Sequence, residues 1–441
     1  MKTSRKEKRD REQNLNMFSD VLKIIQHRFS GFSKWINSIS DPRHQSYIKY
    51  DQELIMMVRI LASCCHIESM RNMNCRFNSS NVIDNFSILF NKQFDELPHG
   101  DTINNYFKEV SVEQVKNVLT NMVKQLIKDR VCEEYRINGK YYQIVLDATQ
   151  LNSYKVEHTP GSLVTHHANG NVSYHNNVLM AQLICGNMAV PVDFEWLENS
   201  ETGYDKQDCE LKAAKRLLKR LKKTYKRLNI CISADALYLG EPIIEICREN
   251  NWKYMITYKE GVIKTADEYY QTAKEHNDTH RYNESDKEGK KNYEYYNEIE
   301  YRDYKINIVE MRLTDEEGKV TKFAYATNLN ITENNYKKRI GEGRRRWKGE
   351  NKGFNDLKNH GYNIKHAYSY NENAMKVHTV LQLISHLIMQ LVEHYERTKG
   401  RFETIKELGY KIKEALRNKV LSAKDIRDIN RPFQIRREIS Y

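Results

Sequence analysis

The chain has 441 residues, enough for two or three domains and a sizeable core. Its 71 Lys and Arg against 59 Asp and Glu give a net charge of +12, which points to a polyanionic partner such as nucleic acid and says nothing of fold. The charged start, Met1–Arg9, lacks an apolar signal-peptide core, and the most apolar stretch, 377–392, is interrupted by His386 and Gln390, so neither secretion nor membrane insertion is expected.

Residues 1–12 form a charged tip. Met17, Val21, Ile24, Ile25 and Phe29 then recur with a rough helical period within 12–37. Asp41-Pro42 breaks the chain, and 51–73 predicts a strong helix with Leu54, Met57, Val58, Ile60 and Leu61 on its apolar side. An Asn- and Ser-rich turn at 78–81 and a helix over 111–130 follow. Residues 1–135 therefore read as a helical domain. From Asn138 the pattern turns to strands: 141–147, 177–185 and 188–196, the last two joined by a Gly186-Asn187 hairpin turn. A basic helix over 206–227, a strand at 229–235, a helix at 240–249 and a strand at 253–258 continue the series. Alternating apolar residues over 293–313 mark a β-rich insertion at 259–322. A strand at 323–326, a further helix and apolar 377–392 fill 323–398, and 399–441 is a basic tail. The eight Cys contain no Cys-x-x-Cys pair, and several sit in apolar runs, as reduced, buried thiols do. Cys64, Cys65, His66 and Cys75 fit no zinc-finger spacing.

Three acids stand out. Asp147 ends the run Tyr141–Leu146, Asp235 ends Leu228–Ala234, and Glu350 lies in a helix-like stretch. A carboxylate at the end of a buried strand is costly unless something pairs with it, and hard divalent cations take oxygen ligands. Strand-end, strand-end, helix is the order in which an RNase H-like nuclease gathers three carboxylates around divalent metal. Each acid alone reads more simply as a helix cap or strand-end charge; it is the set that points to phosphoryl transfer.

The residues around these acids resemble the bacterial insertion-sequence DDE transposases of the class named after insertion sequence four. Asp41-Pro42-Arg43 before an apolar helix, Leu97-Pro98-His99-Gly100-Asp101-Thr102 and Lys206-Gln207-Asp208-Cys209-Glu210 are similar to segments of that family. The most specific stretch runs from Arg346-Trp347-Lys348-Gly349-Glu350-Asn351 through Phe354, Leu357-Lys358-Asn359, Gly361-Tyr362 and His366. The family signature is Tyr, two residues, Arg, three residues, Glu, six residues, Lys. Arg346 and Glu350 fit it, Gly343 stands at the Tyr position, and Lys358 falls one step after the Lys position.

The resemblance implies an α/β fold, an RNase H-like catalytic core with a β-rich insertion, behind an all-helical N-terminal DNA-binding domain. It implies Asp147, Asp235 and Glu350 as catalytic and metal-holding residues, with two Mg²⁺ ions for which Mn²⁺ can substitute. Arg344, Arg345, Arg346 and Lys358 are the DNA-contact candidates; for Arg346 the plainer alternative is an ion pair with Glu350. The implied partners are terminal inverted repeats and target DNA, on which a homodimer acts in the cytoplasm at the nucleoid. A DNA-binding derivative that no longer cuts, or a nuclease without strand transfer, is the rival reading. The basic helix with Lys212, Arg216, Arg220 and Lys223 reads as a solvated amphipathic helix or a DNA-backbone face. Trp347 is expected to pack, and His166, His167 and His175 to lie in a surface loop.

Overall fold

The computed structural model describes residues 16–432 apart from 68, 160, 200–205, 396, 397 and 399; the charged tip at 1–12 and the end of the basic tail lie outside the described residues. The contacts divide the chain into two units, Met1–Asp129 with Asn355–Tyr441, and Arg130–Phe354.

The first unit is helical. Its apolar centre is the helix Glu372–Glu393, buried along nearly all of Ala374–Val392, against which Gln52–Cys64, Gly100–Glu109, Val112–Lys128 and Met17–Arg28 pack. A helix apolar on every side needs partners on every side. It is the one helix among the described residues long and apolar enough to cross a membrane, and it is enclosed by its own unit. This grouping differs from a division at 135 and 398: residues beyond 355 sit with the N-terminal helices, so a fragment ending at 135 lacks the helix at the centre of this unit. The expected helix over 51–73 also stops early. His66 takes a left-handed φ of 53°, and Ile67 N–H returns to Ala62 C=O, closing the helix after Cys64.

The second unit is built on a ten-stranded sheet: β1 (Tyr142–Tyr154), β2 (Leu163–His166), β3 (Val172–Cys185), β4 (Met188–Leu197), β5 (Ile230–Ala234), β6 (Lys253–Thr257), β7 (His280–Asp286), β8 (Gly289–Tyr301), β9 (Tyr304–Thr314) and β10 (Val320–Thr327). β4, β3 and β1 run antiparallel, and β1, β5 and β6 run parallel, giving the strand order of an RNase H-like core. β10, β9, β8 and β7 extend the same sheet beyond β6 as an antiparallel meander, so the β-rich insertion prolongs the core sheet. The hairpin turn falls at Gly186-Asn187, between β3 and β4.

Two expectations change here. Cys132 and Cys185 form a disulfide, with Cα atoms 5.1 Å apart; the turn before β1 and the end of β3 bring together two thiols far apart in sequence, which no local spacing reveals. His166 and His175 lie on the paired strands β2 and β3, where the His175 ring bonds Ser173 and Thr165, because β3 starts five residues earlier than its apolar run.

Candidate active site

Asp147 does not end its strand. β1 continues to Tyr154 through antiparallel pairing with β3, while its parallel pairing with β5 stops at Val145 opposite Ser233. Two residues further on, Asp147 stands level with Asp235, the first residue after β5 and the N-cap of the short turn Ala236–Tyr238. Side chains two apart share a sheet face, so Gln143, Val145 and Asp147 line one face of β1, and Ser233 and Asp235 the matching face of β5.

A buried glutamine joins the three elements that carry the acids. The Gln143 amide donates to Ser233 Oγ at 2.8 Å and to the Glu342 carbonyl at 2.7 Å. Glu342 belongs to the helix Tyr336–Arg344, which leads through Arg346–Lys348 into a π-helical turn, Gly349–Asn355, bearing Glu350. Widened turns of this kind recur at functional sites. Gly349 lets the segment approach the sheet: a Cβ there would lie 2.9 Å from Val145 Cγ1. Val145 is buried and stiff at χ1, so it cannot yield easily. Gly349→Leu is expected to destabilise the fold by about 1–3 kcal/mol through overpacking and to displace Glu350; chemical denaturation at matched pH measures the first effect.

Charge gathers at this end of the sheet. The Asp147 carboxyl is raised to about 6, first by burial and further by the negative charges of Glu350 and Glu210, with Arg346 opposing. Lys259 Nζ lies 3.6 Å from Asp235 Oδ1, an exposed pair of little energetic weight. Arg346 acts on Asp147, whose carboxyl it lowers against the effect of burial, and no ion pair within 4.0 Å joins it to Glu350 among the described residues. Among the described residues, too, no three His, Cys, Asp or Glu side chains are drawn close enough to form a ready metal cage. The donor set has the chemistry a hard divalent cation takes: all-oxygen carboxylates from β1, from the residue after β5 and from one helical turn.

A cleft of about 800 Å³ opens beside Asp235's partner Lys259, lined by Tyr258, Phe323, Tyr325, Arg344, Arg346 and Trp347 among others. Trp347 is 63% exposed, so the packing role expected for it does not hold; its helix turns it to the cleft instead of the core. Arg344 lies over the Phe323 ring at 4.7 Å, and Arg345 donates to the Tyr135 carbonyl. Gly343 has the Tyr325 ring against it, 2.5 Å from where a Cβ would stand, so no side chain fits at this position of the helix. Lys358 lies on Asp356–Asn359 in the helical unit. The basic helix Glu210–Thr224 is partly neutralised: Arg216 pairs with Glu195 and Asp208, and Arg220 with Asp193 and Glu195.

The model of the transposase DDE domain family matches residues 138–388, more than half of the chain. The chain belongs to the DDE transposase family. Its DDE domain thus contains all three acids, and members of this family generally use divalent metal ions. No curated protein sequence matches the chain significantly. Among solved structures it is similar to a piggyBac transposase synaptic complex with hairpin DNA, determined by cryo-EM, at 10% identity, covering 94% of this chain and 82% of that one with a TM-score of 0.44. A likeness that distant carries no argument about the chemistry of this DDE domain. Reading the sequence missed Glu210 and Tyr238 as neighbours of the acids. Glu210 stood in view within the family-like segment 206–210, but only the fold shows that its helix starts beside the turn after Asp235.

Proposed function

We propose that the chain is a transposase of the insertion sequence four class, which binds the terminal inverted repeats of its element, cleaves at the element ends and joins the freed 3′-hydroxyl to target DNA. The observation that carries this reading is the placement of Asp147 on β1 level with Asp235 just after the adjacent parallel β5, with the Glu350 turn seated on the same sheet face, inside a DDE domain. Asp147, Asp235 and Glu350 would hold Mg²⁺ or Mn²⁺, which when bound supplies Lewis-acid stabilisation of the charge that develops on phosphoryl oxygens. Arg346, half-buried near Asp147, holds the scissile phosphate, and the exposed Arg344 on the cleft wall contacts the adjoining backbone. Arg345 and Lys358 are the further DNA-contact candidates of this reading. The net charge of +12 supports the polyanionic partner. Helices suit the reading of base edges in a major groove, so end recognition is assigned to the helical unit. A homodimer would hold both ends, acting in the cytoplasm at the nucleoid.

The test is incubation of the purified chain with its own element ends, target DNA and Mg²⁺, followed by mapping of nicks and joined products. Cuts at the ends together with end–target joints are the expected result. Cuts without joints would reduce the activity to that of a nuclease, and bound but intact ends would leave only a DNA-binding derivative.

A further inference from the structure

The Glu350 carboxylate is exposed and makes no hydrogen bond or ion pair among the described residues, so the backbone that carries it sets its place. Before it come Gly349, which has no side chain, and then the half-buried Lys348. The Lys348 ammonium donates to the Gly186 carbonyl at 2.7 Å and to Asn187 Oδ1 at 2.9 Å, both in the turn between β3 and β4. It is the side-chain tether nearest to Glu350 on the N-terminal side. Three residues earlier, Arg345 Nη1 donates to the Tyr135 carbonyl at 3.3 Å. The two sets of acceptors belong to one platform. Gly186 takes a left-handed φ of 59°, and a Cβ there would lie 2.8 Å from the Tyr135 ring. Cys185, the residue before Gly186, is joined to Cys132 by the disulfide. The segment Arg345–Lys348 is thus pinned at both ends to a cross-linked platform, with Arg346 between the pins and Glu350 two residues beyond. Lysine has three donors, and two of those on Lys348 are engaged by the turn. Fixing so long a side chain costs rotamer freedom, about 1.5–2 kcal/mol, which two charge-assisted bonds offset.

We propose that Lys348 is a positioning residue: its bonds to the β3–β4 turn set where the Glu350 carboxylate stands for DNA cleavage. The proposal rests on the active-site reading given above. Two other roles compete with it. As a DNA contact, Lys348 would hold a phosphate, and its loss would weaken binding. As a purely structural group it would fasten the hairpin without regard to Glu350, and its loss would lower stability alone. Lys348→Met separates the three, because it keeps the length of the stem and removes the donors.

The experiment uses the full chain as wild type, Lys348→Met, Lys348→Arg, Asn187→Ala, the double variant of Lys348→Met with Asn187→Ala, and Glu350→Gln. It measures cleavage of labelled end duplex in saturating Mg²⁺, end binding in EDTA at one fixed salt concentration, and thermal melts. Lys348→Met is expected to lower cleavage about 10–100-fold, the size of effect seen when groups supporting a reactive ligand are removed, with end binding within about twofold. Lys348→Arg, which still donates to the turn, should recover part of the rate. Asn187→Ala should show a smaller loss, and the double variant should lose no more than Lys348→Met, because the contact they share is already gone. Losses that multiply in the double variant would overturn the proposal, and so would end binding weakened as much as cleavage, which would make Lys348 a phosphate contact. A lower melting temperature with unchanged cleavage by the folded protein would assign Lys348 to the hairpin alone. Wild-type cleavage in Lys348→Met, with cleavage lost in Glu350→Gln, would overturn the positioning role and leave the three-acid site standing. Wild-type cleavage in Glu350→Gln would instead bring down the active-site reading itself. Should Lys348→Met not fold, Asn187→Ala decides: it leaves the lysine in place, and wild-type cleavage in it would overturn the proposal.

Discussion

Asp147→Asn, Asp235→Asn and Glu350→Gln are each expected to lower DNA cleavage by on the order of 10³-fold or more, while end binding stays within about twofold. The carboxamides keep the size of each side chain and remove the charge that holds a cation. Because the acids sit on one sheet face and the positive surface is spread over many residues, deleting one negative charge does not weaken attraction for phosphates. Folding should survive: none of the three acids is the partner of a buried cation, and Gln143, which fastens the two strands to the Glu350 segment, is untouched. Cleavage of labelled end duplex in Mg²⁺, with a parallel binding measurement in EDTA at one fixed salt concentration, gives both numbers. Wild-type cleavage by any one variant would remove that residue from the site.

How much of this was legible beforehand follows from which signals are local. Alternating and 3.6-period patterns are local, and they located β4 to β6, the start of β1, the end of β3 and the helices Val112–Lys128, Glu210–Thr224 and Glu241–Glu249 within a few residues. Asp235 could be placed at the end of its strand, one residue from where β5 stops, because the apolar run ends there. The extension of β1 past Asp147 could not, since it is sustained by pairing with β3 across residues that are themselves half polar. The membership of Glu372–Glu393 in the helical unit was hidden for a similar reason: an apolar helix announces that it will be buried but not by which neighbours. The Cys132–Cys185 bond and the Glu210–Tyr238 contact join positions 53 and 28 residues apart, and neither spacing has a pattern of its own. The π-helical turn left a faint trace, Gly349 and Gly353 flanking the Glu350 stretch, which makes sense only once Val145 and Gln182 are seen beneath them.

The Asp147 carboxyl makes a second large prediction, on stability. Its folded value of about 6 lies above its ordinary 3.8. Below about pH 4 both folded and unfolded chains hold the proton, and this group contributes nothing. Between about 4 and 6 the unfolded chain has released the proton that the folded chain keeps, so the free energy of unfolding falls as pH rises. Above about 6 the folded protein carries the full penalty of an ionised, half-buried carboxylate beside Glu350. Two pH units correspond to at most about 3 kcal/mol, and partial solvent access reduces this to roughly 1–2 kcal/mol. Metal-free Asp147→Asn should therefore unfold at higher denaturant than metal-free wild type at pH 7, and the two should converge near pH 4. Adding Mg²⁺ at pH 7 should recover stability in wild type, because a ligand that binds only the folded state shifts the equilibrium towards it, and should do little for the variant. Denaturant titrations in EDTA at pH 4 and pH 7, repeated in Mg²⁺, measure all four values. A wild type that gains stability between pH 4 and pH 7 relative to Asp147→Asn would mean that Asp147 is held by a cation in the metal-free fold, and that its neighbours do not repel it.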